Sequence, residues 1–197
     1  MRIYDISQEV FSSKVYPGDP APKRRQLHQM AAGAEYELSA FAMCTHNGTH
    51  VDAPSHFCKG GKTVGELDPE KLIGNAYVAL HEGRLTTDDA IAIMSRAREA
   101  DRKSRHRILL KGQVEVSLRA ARALVDAGVC LLGCEGLTLG NEKEDYEIHR
   151  VLLQEEVVIL EGLRLTDVGE GAYWLNAMPL HLGNAEAAPC RAILLDM

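Results

Sequence analysis

The sequence predicts an α/β fold in which antiparallel strands fill the first third and βα units follow, so that one mixed sheet carries helices on its outside. Three observations point there. Apolar and polar residues alternate along the first third, where no convincing helical period occurs. After Asn75, short apolar runs alternate with capped helical segments. Finally, 197 residues with 46% hydrophobic content suffice for one well-buried core, which predicts a single domain over residues 1–197.

Taken in chain order, "RIYDIS" reads as a strand, "YPGDP" as a turn, and "EYELSAFAMCTH" as an alternating strand that runs into a glycine-containing stretch. Beyond "HFCKGGKTVGELD" the period changes. "AYVALH" is a strand, and "TTDDAIAIMSRAREA" is a helix that Thr86 or Thr87 can cap, with acids in its first turn. "RILLKG" reads as a buried strand, and "VSLRAARALVDAG" as a helix with Ser117 at its N-cap and Gly128 just past its end. "VCLLGCEG" is the next strand, a helix forms around "EDYEIHRVLLQEE", and "VVILEGL" returns as a strand. The chain closes on two strand-like segments, "NAMPLHLG" and "CRAILLD".

Charge and composition exclude several classes. A net charge of −6 with scattered Lys and Arg lacks the basic footprint of a nucleic-acid binder. No apolar run is long enough for a signal sequence or a membrane span, which predicts a cytoplasmic protein with no membrane partner. Five cysteines at irregular spacing fit reduced thiols better than a disulfide framework, and Cys130 and Cys134 read as small buried hydrophobes. No G-x-S-x-G is present for a serine nucleophile, and nothing marks Cys44 or Cys58 as activated.

The densest chemistry lies in "CTHNGTHVDAPSHF", Cys44 to Phe57, which holds three of the eight histidines and Asp52. His46 and His50 have the spacing of two ligands on one helical face, as in H-E-x-x-H, but Gly48 lies between them and Pro54 follows, so a helix is excluded. In an extended segment His50 and Asp52 project to the same side, and His46 and His56 share that parity. Bends at Gly48 and Pro54 would fold the stretch around one point, where imidazoles and a carboxylate suit Zn²⁺ ahead of Mn²⁺ or Fe²⁺. One histidine beside a turn is ordinarily a surface side chain; three with an aspartate at this spacing point to a metal. A purely structural zinc site, the other alternative, is normally closed by a Cys-rich ligand set.

These residues carry a resemblance. "HNGTHVDAPSHF" resembles the signature H-x-G-T-H-x-D-x-P-x-H of the metal-dependent cyclase family, which includes the bacterial kynurenine formamidases. "YPGDP" and "HRVLLQEEVVILEGL" are similar to two further family segments, so the likeness covers most of the chain. It implies a swivelling β/β/α arrangement and a metal site, usually with two zinc ions, held by His46, His50, Asp52, His149 and Glu161. It implies that His56 is a non-ligand that moves protons, and that the activity is hydrolysis of N-formyl-kynurenine in tryptophan breakdown.

Glu161 and His149 also stand on their own. Glu161 ends the apolar run Val157 to Leu160, where a buried carboxylate needs a partner that a metal would supply. His149 reads alone either as a partly buried helix residue beside Tyr146 or as a site residue, and its placement with Glu161 after the histidine-rich stretch favours the site; Glu155 and Glu156 read as solvated charges, and His181 lacks any paired ligand. The chain departs from the formamidase pattern at "CEGLTL", where Glu135 and Thr138 stand near an expected Asp and Ser, and at Tyr16, where tryptophan is often found. Amide hydrolysis by metal-activated water therefore has neighbours in the same chemistry: a cyclic amide such as isatin, an imide or a lactone. A non-catalytic metal-binding protein is the alternative from another class, although it would not need a proton carrier at His56. With 5% aromatic residues to enclose an aryl substrate, the pocket is expected to be completed by a neighbouring subunit of a homodimer or higher homo-oligomer.

Overall fold

The computed structural model describes residues 1–141 and 143–196. The chain begins with strands β1 (Arg2–Asp5), β2 (Lys23–His28), β3 (Leu38–Ala42) and β4 (His50–Asp52). As expected of this third, only single 3-10 turns interrupt it, at Met30–Ala32, Pro54–His56 and Val64–Glu66. Then come helix α1 (Pro69–Leu72), β5 (Ile73–Leu80), β6 (Gly83–Leu85), α2 (Thr87–Ala100), β7 (Arg107–Lys111), β8 (Val114–Val116), α3 (Leu118–Asp126), β9 (Leu131–Cys134), α4 (Asp145–Gln154) and β10 (Val158–Glu161). Strands β11 (Gly171–Asn176), β12 (Ala187–Pro189) and β13 (Ile193–Asp196) complete the order.

Nine strands form one mixed sheet in the order β1-β13-β11-β5-β7-β9-β10-β4-β12. The βα units make its parallel centre, β5-β7-β9-β10, and the flanking pairs are antiparallel. Successive residues of the central strands divide between two cores. Tyr77, Ile108, Leu110, Leu132 and Ile159 meet α2, α3 and α4 through residues such as Ile93, Leu124 and Leu152. Val78, Leu109, Leu131, Val158 and Leu160 face the other way, into a cluster that also contains Leu194 of β13 and Ala188 of β12. Strands near opposite ends of the sheet therefore share one core, which requires the sheet to curl around it. Complete burial of a leucine such as Leu109 stabilises this arrangement by about 1.5–3 kcal/mol.

Helix boundaries follow their caps. Thr86, not Thr87, caps α2, in a reciprocal box with Asp89, and the Ser117 hydroxyl accepts from the Ala120 amide at 3.2 Å to start α3. Two sequence expectations need correction. "NAMPLHLG" is not a strand: Asn176 ends β11, and Pro179 makes only an isolated bridge to Cys190, because proline offers no amide to continue a ladder. The strand lies earlier, in "GAYWLN". In addition, "EYELSAFAMCTH" contributes only Leu38–Ala42, which pairs with β2 as a separate hairpin with no buried residue. Strand β2, "KRRQLH", escapes pattern reading because it has no apolar face to bury.

Candidate metal centre

The site is assembled where β4 lies between β10 and β12. Val51 points into the curled core, so its neighbours His50 and Asp52 project together from the opposite face, toward the helices. Antiparallel register sets Glu161 directly across from His50, and Glu161 shares its face with Ile159 of the helix-side core. Helix α4 packs its apolar side, Ile148 and Leu152, onto that core and thereby delivers His149. The bends expected around the strand are present: Gly48 has φ of 71°, and Pro54 opens a 3-10 turn that carries His56. Gly162, with φ of 68°, lets β10 approach this loop, since a Cβ there would lie 2.4 Å from the Gly48 carbonyl oxygen.

The five expected ligands converge as two groups, His46/His50/Asp52 and Asp52/His149/Glu161, with Asp52 common to both. His50 Nε2 lies 3.4 Å from both Asp52 Oδ1 and Glu161 Oε2, and His149 Nε2 lies 3.2 Å from Glu161 Oε1. His46 Nδ1 lies 3.1 Å from Asp52 Oδ1. Despite these approaches, both Asp52 oxygens and His50 Nε2 are buried without a hydrogen-bond partner. A carboxylate that is only 1% exposed and so poorly satisfied is costly unless a cation supplies the missing bonds.

Electrostatics carry the same message. Burial pushes His50 down, but Asp52 and Glu161 outweigh it and raise its pKa to about 9. Burial likewise opposes the charge on His149, which Asp145 and Glu161 overcome, raising it to about 11. For Asp52, burial acts upward and is outweighed by His46 and His50, so its carboxyl stays below the ordinary range. In the metal-free cluster the acids thus favour the protonated forms of His50 and His149, positive charge of the kind a divalent cation would bring in its place. The residues fit such a cation.

His56 stands apart. It belongs to neither group, yet its ring centroid is 4.3 Å from that of His46 and 6.3 Å from that of His149. Burial, with His46 and His149 acting in the same direction, outweighs Asp52 and holds its pKa below the usual imidazole value. The environment thus favours the neutral form of this ring, which can accept a proton.

A cavity of about 290 Å³ opens onto these residues, walled by Tyr16, Asp19, Phe57, Leu137 and Thr138. Of the two positions that depart from the formamidase pattern, Thr138 borders this cavity, whereas Glu135 is not among its lining residues: the Glu135 carboxylate accepts from the Gly112 and Leu165 amides at 2.8 and 2.7 Å. Glu156, read as a solvated charge, is paired with Lys62 at 2.7 Å, and all five cysteines are free thiols. His181 lies in neither metal-binding group.

Sequence reasoning missed two acids. The Asp145 backbone carbonyl faces His149 Nδ1 at 2.9 Å, and its carboxylate, which accepts from the Thr138 hydroxyl at 2.6 Å, lies 3.4 Å from the same nitrogen. Its position one turn before His149 was the available signal. Glu186 Oε1, 3.4 Å from His46 Nε2, had none.

Comparison with known proteins gives consistent similarities. The family profile described as "Putative cyclase" matches residues 4–140. The chain is 33% identical to the kynurenine formamidase of Paracidovorax citrulli (strain AAC00-1), over 98% of this chain and 95% of that one. It superposes with a TM-score of 0.80 on a structure described as a predicted metal-dependent hydrolase from Bacillus stearothermophilus, at 30% identity and covering 98% and 97% of the two chains. Isatin hydrolase A from Labrenzia aggregata, at 18% identity, TM-score 0.81 and coverage of 98% and 93%, shares the fold.

Proposed function

The chain belongs to the cyclase family and is a metal-dependent hydrolase of carbon–nitrogen bonds, and from that premise we propose that it cleaves an N-formyl arylamine, N-formyl-kynurenine, to formate and the free amine. The observation that carries the reading is the shared Asp52, a buried carboxylate common to two ligand groups. His46, His50, Asp52, His149 and Glu161 would hold two divalent ions, zinc ahead of manganese, with Asp52 common to the two groups of side chains. Such ions supply Lewis acidity, acidifying a water and polarising the carbonyl under attack.

The chain's own groups do the rest. His56, neutral and outside the ligand groups, accepts the proton of the attacking water on a ring nitrogen as the new C–O bond forms. The same ring returns that proton to the leaving nitrogen as the C–N bond breaks, which gives the free amine and formic acid, and the acid releases its remaining proton to solvent as formate. Phe57, with its centroid 4.9 Å from that of His149, and Tyr16 offer flat apolar walls to an aryl ring. Residues 1–197 would act as one hydrolase unit.

A screen of N-formyl-kynurenine, isatin and simple lactones with the zinc-loaded protein tests this reading. Hydrolysis of the formamide well above the others is expected; preference for isatin or a lactone would reassign the substrate while keeping the family. The homodimer is supported by the isolated β2–β3 hairpin, which exposes Phe41 at 62% and Leu27 at 43% and is marginal without cover. Sedimentation should show a dimer, and a fully active monomer would remove the second subunit from the pocket.

A further inference from the structure

Each imidazole of the cluster has one nitrogen turned inward and one turned out. His50 turns Nδ1 outward to the Gly48 carbonyl at 3.1 Å, and His149 turns Nδ1 outward to the Asp145 carbonyl at 2.9 Å. His46 is reversed: Nδ1 faces Asp52 at 3.1 Å, and Nε2 faces out. It also precedes β4 in a turn and is 20% exposed, against 3% for the other two side chains, so packing holds its ring least. A ring that binds a cation through Nδ1 must keep its remaining proton on Nε2, and a tautomer and orientation of that kind need an acceptor.

We infer that Glu186 is the positioning residue for His46, and through it for the more exposed of the two metal-binding groups; the inference rests on reading those groups as a metal centre. Glu186 Oε1 lies 3.4 Å from His46 Nε2, and the same oxygen accepts from the Thr45 hydroxyl at 2.6 Å. Its main chain is held as well: the Glu186 carbonyl accepts from the Ala53 amide at 2.9 Å, just before β12 pairs Ala187 with Asp52. One segment thus carries both the strand that flanks Asp52 and the carboxylate that faces His46. The 3.4 Å separation is a contact that a small rotation of the 43%-exposed Glu186 side chain closes into a charge-assisted hydrogen bond. Thr45 keeps the carboxylate aimed while that happens.

The test compares chelator-stripped wild type, Glu186→Ala and Glu186→Gln, titrated with Zn²⁺ against a chromophoric competitor. The main-chain bond to Ala53 survives both substitutions, so both chains should fold. Glu186→Ala is expected to weaken the less tightly held Zn²⁺ by about 10- to 100-fold and leave the other unchanged. Glu186→Gln, whose amide oxygen still accepts, should recover most of that loss. Ring ¹⁵N shifts of His46 in the zinc-loaded wild type should show the proton on Nε2, and that proton should exchange faster in Glu186→Ala. Unchanged Zn²⁺ affinity in Glu186→Ala, or a His46 proton on Nδ1, would overturn the role of Glu186 alone. A wild-type chain that takes up no ion would overturn the metal centre itself, and this inference with it.

Discussion

Asp52→Ala is expected to lose bound metal and, with it, hydrolysis by about 10³-fold or more, since Lewis-acid stabilisation of the transition state is worth several kcal/mol. The size of the effect follows from geometry. Asp52 is the one side chain common to both ligand groups, so a single truncation removes an oxygen from each. The metal-free protein should lose stability as well. Asp52 faces His50 inside the buried cluster and holds its pKa up, so truncating the carboxylate leaves that imidazole without its counter-charge. Elemental analysis and thermal unfolding with and without Zn²⁺ check both halves: metal content should fall and the Zn²⁺-induced rise in Tm should vanish, while the metal-free Tm should lie below that of wild type. Metal retained at the wild-type level would exclude Asp52 from the centre.

His56→Ala should behave in the opposite sense, keeping metal and fold while turnover falls by about 10²- to 10⁴-fold, the usual worth of a positioned general acid or base. His56 lies in the turn after Pro54, is half-buried and belongs to neither ligand group, so its loss leaves the coordinating atoms in place. The pH profile separates this role from simple packing. The base must be neutral to take a proton, so activity should fall as pH drops through the His56 pKa. Burial and the neighbouring His46 and His149 hold that pKa below the ordinary 6.5, which places the acid limb there. The limb should disappear in the variant. Loss of metal along with activity would make His56 a ligand, and unchanged turnover would make it a bystander.

Sequence by itself determined the local half of this protein. The alternation His50-Val51-Asp52 sets two side chains on one face of any extended segment, and Gly48 and Pro54 supply bends wherever the chain lies. Capping at Thr86 and Ser117 and the apolar period of α2, α3 and α4 were legible for the same reason: they act within a few residues. His149 and Glu161 were reached through resemblance and through a carboxylate at the end of an apolar run, signals that name a residue without locating it. Only the tertiary structure decided that Glu161 stands opposite His50, that α4 brings His149 to Asp52, and that Glu186 arrives beside His46. Each of these depends on strand register and sheet curl, which are set by the simultaneous burial of two cores on opposite faces of one sheet. Residues far apart in sequence meet because those cores close together, and no local pattern records that closure.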